Sequence, residues 1–258
     1  KKPYALDLRW SSLTVSTHNR PGDQAWELVH SLLATTGMAN QGGKAAKDVP
    51  SRGSRQYLIA YNLISAILWS IVMGKVALIA STQGTNKVYA AAGEYTKWVQ
   101  TLAVLEILHS LLGIVRSPLV TTAMQVASRI IIVWGILDQF PAVAVQSLAY
   151  STMLVAWSVT EMIRYSYFVL NLAYGRVPPA LVWLRYNTFF ALYPLGISSE
   201  WWLVRCAIEP ARRTYGIGAE YLLRAALLIY VPGPYVLFTH MMAQRRKIMR
   251  GKPSQKDQ

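Results

Sequence analysis

Residues 184–200 read LRYNTFFALYPLGISSE and run directly into Trp201 and Trp202. The stretch opens as an apolar, aromatic segment of membrane-spanning character, then places Pro194, Gly196 and finally the carboxylate of Glu200 where such a segment should be most apolar. An ionisable group in hydrocarbon is costly and is tolerated mainly where it faces a protein interior or a wet cavity, which makes Glu200 a functional-site candidate. Tyr193 precedes it by seven residues, and seven steps of about 100° return a helical side chain to nearly the same face. A phenol and a carboxylate can therefore look into one cavity. Seven residues also rise about 10.5 Å along a straight helix, which would leave the two groups too far apart to act on adjacent atoms, although a tyrosine is long enough to reach along the groove. Pro194 and Gly196 lie between the two, so a kink or an unwound turn is expected there, since proline removes an i→i−4 bond and glycine relaxes the backbone.

The composition around this stretch is that of a membrane protein. Of 258 residues, 53% are hydrophobic and only 15% charged, too few charges for a soluble protein of this size, and the mean hydropathy is +0.26. The net charge is +14, but Lys and Arg gather before the first apolar run and after the last. Nucleic-acid binding, the other reading of such a charge, requires a basic soluble domain, which the sequence lacks. Anionic lipid and the positive-inside rule account for it better. The single cysteine, Cys206, excludes an intramolecular disulfide.

Six apolar stretches, roughly 57–79, 98–115, 119–137, 143–163, 180–203 and 220–243, each approach the ~20 residues a spanning helix needs. They predict an all-α integral membrane bundle of six transmembrane helices in one domain, 56–244. Turn-forming or polar separators divide them: Arg116-Ser117-Pro118, Asp138-Gln139-Phe140-Pro141, Gly175 to Pro179, and Glu209-Pro210-Ala211-Arg212-Arg213. Residues 1–55 read as a disordered basic N-terminal arm. Within it Met38 opens MANQGGKAAKDVP like a natural start, so 1–37 are expected to be an upstream extension. Residues 245–258 form a basic tail. Basic flanks at both ends place both termini on the cytoplasmic side, which six spans satisfy; Arg212 and Arg213 then fall on the far side, against that rule.

Polar residues inside the spans come in helical pairs. Glu106 and His109 stand at i, i+3, the spacing of a metal half-site, but no second half-site exists, so no metal is expected and a carboxylate–imidazole hydrogen bond between them is the favoured reading. Gln125 and Arg129 lie one turn apart; Glu161, Arg164 and Tyr165 close the fourth span; Arg185 and Tyr186 open the fifth. The arginines read as neutralising Glu106 and Glu161 or as span-end anchors. Cys206 and Arg212 have the Cys-x5-Arg spacing of a tyrosine phosphatase. That loop, however, contains Pro210, which donates no N–H, and Glu209, which repels phosphate.

The motif LRYxxFxxLYPxGxxxE over 184–200 resembles the signature of the 3-hydroxyacyl-CoA dehydratases, a family also called protein tyrosine phosphatase-like. The polar residues of the earlier spans fit its pattern too, so the resemblance covers most of 57–240. It implies an enzyme of the endoplasmic reticulum membrane that removes water from a very-long-chain (3R)-3-hydroxyacyl-CoA to give the trans-2-enoyl-CoA in fatty acid elongation. Its expected partners are membrane lipid and the condensing enzyme, ketoacyl reductase and enoyl reductase of that cycle. No cofactor is implied, and the sequence holds neither a dinucleotide fingerprint nor a metal cluster. The family's catalytic pair falls on Tyr193 and Glu200, with Glu200 as base and Tyr193 as acid, the reverse assignment remaining open. Arg116, Arg164, Arg176 and Arg185 acquire a second reading, as ligands of the coenzyme A phosphates. Glu106, His109, Gln125, Arg129, Glu161, Tyr165, Tyr186 and Gly196 would support the site. The alternatives are a non-catalytic membrane scaffold or carrier and, behind it, a phosphatase using Cys206.

Overall fold

A computed structural model describes residues 52–115, 117, 119–230, 238, 242, 245 and 246. The arm up to residue 51, Arg116 and most of the tail lie outside the described residues. Among those described, every regular element is helical, as the all-α expectation required.

The first helix, α1 (Arg52–Thr82), buries Leu58, Asn62, Ser65, Trp69, Val72 and Val76, a stripe that advances by alternating three and four residues. Its opposite face is also apolar: Leu63, Ile64, Ile67, Ile71 and Leu78 are exposed. A helix apolar all round and buried on only one side belongs in an apolar medium. Among the described residues, two helical stretches are long and apolar enough to cross a membrane, Arg52–Thr82 and Leu119–Leu137.

Beyond a tight turn at Thr85–Lys87, α2 (Val88–Thr101) and α3 (Val104–Leu111) divide what the sequence presents as one span. The break at Leu102 and Ala103 is slight, for Ala103 N–H donates to Gln100 and Glu106 N–H to Ala103 across it. Helix α4 (Leu119–Ile130) passes into a π-helical turn, Ile131–Leu137, closed by Asp138 N–H on the Val133 carbonyl. The short α5 (Pro141–Val145) leads to the central α6 (Leu148–Tyr174), which begins with the Ser147 hydroxyl accepting from Ala149 N–H and ends at Gly175 with φ 68°. Helix α6 packs against α1 on one side and α8 on the other. At its end Arg55 of α1 donates to the Leu172 and Ala173 carbonyls at 2.6 and 3.0 Å. These are among the last carbonyls of α6, which have no partner within the helix.

Pro179 starts α7 (Pro179–Asn187), and Thr188 hands the chain to α8 (Phe189–Tyr215). The separator expected at Glu209 to Arg213 is not a loop: it lies inside α8, and the chain turns only at Gly216, φ 83°, before α9 (Ile217–Ile229). Pro210 costs only its own donor to the carbonyl one turn back, while Arg213 pairs with Glu209 at 2.9 Å along the helix and Arg212 reaches Glu220 of α9 at 3.3 Å. Both arginines that stood against the charge rule are thus paired with carboxylates.

Candidate active site

One face of α8 is built from small residues and one acid. Gly196, Ser199, Glu200, Leu203, Ala207 and Ala211 are buried at helical spacing, turned toward α6. A side chain at Gly196 would meet the Ala156 methyl at 3.6 Å, and one turn further Ser199 shares a hydroxyl–hydroxyl bond of 2.8 Å with Thr152. Close approach of small residues and polar contacts of this kind hold the two helices together. This contact places Glu200 beside α6, where Trp157 Nε1–H donates to its Oε1 at 2.8 Å. The Tyr230 hydroxyl, just past α9, donates to Oε2 at 3.1 Å. Among the described residues no Lys or Arg forms an ion pair with Glu200. The Arg129 guanidinium lies over the other partner of the Oε1 contact, 4.9 Å from the centre of the Trp157 ring.

Tyr193 lies nearly two turns earlier, half-buried, against a cluster of aromatic rings. Phe189 and Phe190 stack at 4.4 Å between centroids, and Phe238 stands edge-on to both and tilted to Tyr193 at 6.3 Å. The unwinding expected between Tyr193 and Glu200 does not occur: α8 is helical through Pro194. The discontinuity falls upstream at Thr188, whose carbonyl accepts from both Ala191 and Leu192 N–H at 3.1 and 2.9 Å. Re-forming the helix there accommodates a proline that has no N–H for the Phe190 carbonyl. Tyr193 and Glu200 therefore keep the same-face relation of a continuous helix, and the separation of roughly 10.5 Å along its axis that a kink was expected to close remains, to be spanned by the length of the two side chains and the substrate between them.

Closer to the Arg55 end lies an ion network. Arg164 grips Glu106 with both terminal nitrogens, at 2.8 and 2.7 Å, while its Nε donates to Glu161 at 2.7 Å. Arg129 bonds the other Glu161 oxygen, and Tyr165 donates to Glu106. Two carboxylates and two guanidinium groups thus neutralise one another, and Arg129 joins the network to Trp157. Glu106 and His109 do not form the expected carboxylate–imidazole pair. Sharing a face, they take different partners, because Arg164 offers Glu106 a bidentate charge-assisted contact that a histidine cannot match; His109 instead shares 2.8 Å with the Tyr57 hydroxyl. No cluster of three metal-binding side chains exists among the described residues.

The remaining candidates lie apart from Glu200. Gln125 and Arg176 are exposed. Arg185 has its guanidinium carbon 4.3 Å from the Tyr167 ring centre, 4.8 Å from Phe168 and 5.8 Å from Tyr186, and among the described residues it pairs with no carboxylate. Arg245 donates to Asn187 Oδ1 at 2.9 Å and lies over Phe190. Arg55, Arg176, Arg185 and Arg245 are therefore cations without acidic partners among the described residues, in contrast to Arg164.

Residues 100–251 match the model of a family described as protein tyrosine phosphatase-like protein, PTPLA. The chain belongs to this family. Among its curated relatives, the probable very-long-chain (3R)-3-hydroxyacyl-CoA dehydratase of Schizosaccharomyces pombe is 44% identical, covering 76% of this chain and 93% of its own. The very-long-chain (3R)-3-hydroxyacyl-CoA dehydratase PASTICCINO 2A of Oryza sativa is 39% identical over 78% of this chain and 96% of its own. The corresponding dehydratase hpo-8 of Caenorhabditis elegans is 38% identical over 76% and 95%. No solved structure matches. The family's phosphatase-like label finds no site here: Cys206 and Arg212 sit on one unbroken helix, where six residues turn the two side chains well apart and the backbone N–H groups serve the helix rather than a phosphate.

Sequence reasoning missed Trp157 and Tyr230, the two donors to Glu200. The available signal was chemical: a tryptophan or tyrosine inside a spanning segment needs a partner for its N–H or O–H, and a buried carboxylate needs donors. Nothing in the spacing connects positions 43 and 30 residues away.

Proposed function

We propose that this chain is a very-long-chain (3R)-3-hydroxyacyl-CoA dehydratase that eliminates water to give the trans-2-enoyl-CoA, with Glu200 as base and Tyr193 as acid. The observation that carries the assignment is the buried Glu200 carboxylate, held by two neutral donors and no cation among the described residues, on one helix face with a phenol. The dehydratase names borne by relatives that match nearly their full length support the reaction. The thioester carbonyl acidifies the C2 proton, and Glu200 takes it. The C2–H electron pair becomes the C2–C3 double bond as the C3–O bond breaks, and Tyr193 gives its phenolic proton to the departing hydroxyl. Water leaves, Glu200 releases its proton to solvent and the Tyr193 phenolate takes one back from it, so the cycle closes with no net proton change, electron transfer or added reagent.

The same reading places the enzyme in the endoplasmic reticulum membrane with six spans and both termini cytoplasmic, beside the condensing enzyme and the two reductases of the elongation cycle. Arg176 and Arg185, with Arg116 outside the described residues, would receive the coenzyme A phosphates; Arg164 is occupied by two carboxylates. The test is turnover of a very-long-chain 3-hydroxyacyl-CoA by purified protein, followed as enoyl-CoA. Glu200→Gln and Tyr193→Phe are each expected to lower kcat by about 10²-fold or more while leaving a folded protein, the scale of acid–base catalysis. Near-normal turnover in either variant refutes the role given to that residue.

A further inference from the structure

We infer that Tyr230 is a positioning residue for the base: its hydroxyl fixes the Glu200 carboxylate so that Oε2 presents a free lone pair to the C2 proton. The inference rests on Glu200 being the base. A glutamate's terminal torsion is broad and nearly two-fold, so an unrestrained carboxylate would sample orientations in which neither oxygen addresses the substrate. Here each oxygen has its own donor, from a different helix. Trp157, 3% exposed, holds Oε1 on the buried side next to α6. Tyr230, half-buried, holds Oε2. Each carboxylate oxygen has two lone pairs; Tyr230 uses one on Oε2 and leaves the other for the proton. The residue that caps the C-terminus of α9 thereby contributes to the reacting centre, though neither Tyr193 nor Glu200 lies near it in sequence.

Removing the hydroxyl takes away a hydrogen bond to a charged group without changing the ring, so Tyr230→Phe is expected to lower kcat about 10-fold or more while KM for the 3-hydroxyacyl-CoA stays within about twofold. Two further readouts separate positioning from packing. With substrate deuterated at C2, the isotope effect on kcat should be larger in Tyr230→Phe than in the wild type, because the step that has slowed is proton abstraction. In a Glu200→Gln background, Tyr230→Phe should change the residual rate less than about twofold, because residues that act as a unit are strongly non-additive. The measurements use full-length protein in detergent or lipid nanodiscs. Wild-type kcat in Tyr230→Phe, an unchanged isotope effect, or a full loss repeated on top of Glu200→Gln would each overturn the inference. High activity in Glu200→Gln alone would instead overturn the catalytic pair itself.

Discussion

Arg164→Ala removes the side chain that bridges Glu106 and Glu161, and its cost can be worked from the contacts it breaks. Glu161, whose side chain is 4% exposed, keeps Arg129; Glu106, 17% exposed, keeps only tyrosine hydroxyls. Breaking a buried ion pair by deleting one partner costs about 3–5 kcal/mol, since it strands a charge. The low end applies, because the Arg164 side chain is itself 30% exposed and Tyr165 still donates to Glu106. At 2–4 °C per kcal/mol for a domain of this size, about 3 kcal/mol becomes a fall in Tm of roughly 6–12 °C. The assay is thermal unfolding of purified protein in detergent, with KM for acyl-CoA measured on the folded fraction. KM should remain within about twofold, since all three guanidinium nitrogens already serve carboxylates. Adding Glu106→Gln to Arg164→Ala removes the stranded charge and should recover at least half of the lost Tm. A Tm unchanged within about 2 °C together with a tenfold rise in KM would refute this reasoning and return Arg164 to the substrate.

Arg185→Ala should raise KM for 3-hydroxyacyl-CoA about tenfold or more at nearly constant kcat, the worth of one charge-assisted bond; an unchanged KM removes Arg185 from the substrate site. Gly196→Ala should retain most activity, since its methyl would reach only ordinary contact with Ala156 at 3.6 Å. Gly196→Leu should wedge α8 from α6 and reduce turnover more than tenfold by drawing Glu200 away from Trp157; comparable turnover in both variants would show that this approach does not matter. Cys206→Ser should leave dehydration within about twofold of the wild type, and loss of a phosphatase activity in that variant would revive the thiol chemistry.

Glu200 was legible as a candidate because a carboxylate in a greasy stretch violates the local pattern, and the structure shows it buried with two neutral donors. Glu106, Arg129, Glu161 and Arg164 were legible as charges that must be neutralised, but their pairing was not. The i, i+3 spacing pointed Glu106 at His109, whereas a bidentate guanidinium from a helix nearly sixty residues away displaced that local partner. Proline misled twice. Pro194 and Pro210 each remove one backbone bond, which reads as a break, yet both remain within α8, because the missing bond is local and the helix is held from outside by α6 and α9. The true turns fell at Thr188, which carries no breaker signature, and at Gly216, which does.

The clasp of Arg55 on the Leu172 and Ala173 carbonyls bears on how the chain is made. The helix Arg52–Thr82 leaves the ribosome about ninety residues before Tyr174 closes the helix it must grip. At about 5–20 residues per second, that interval is roughly 5–20 s. Through it the first helix can pack against Val88–Thr101, made directly after it, but lacks its principal mate, Leu148–Tyr174, and Arg55 has no carbonyl to hold. The nascent helix must therefore be retained or chaperoned, and the final lock is applied only when the ends of two helices far apart in synthesis meet.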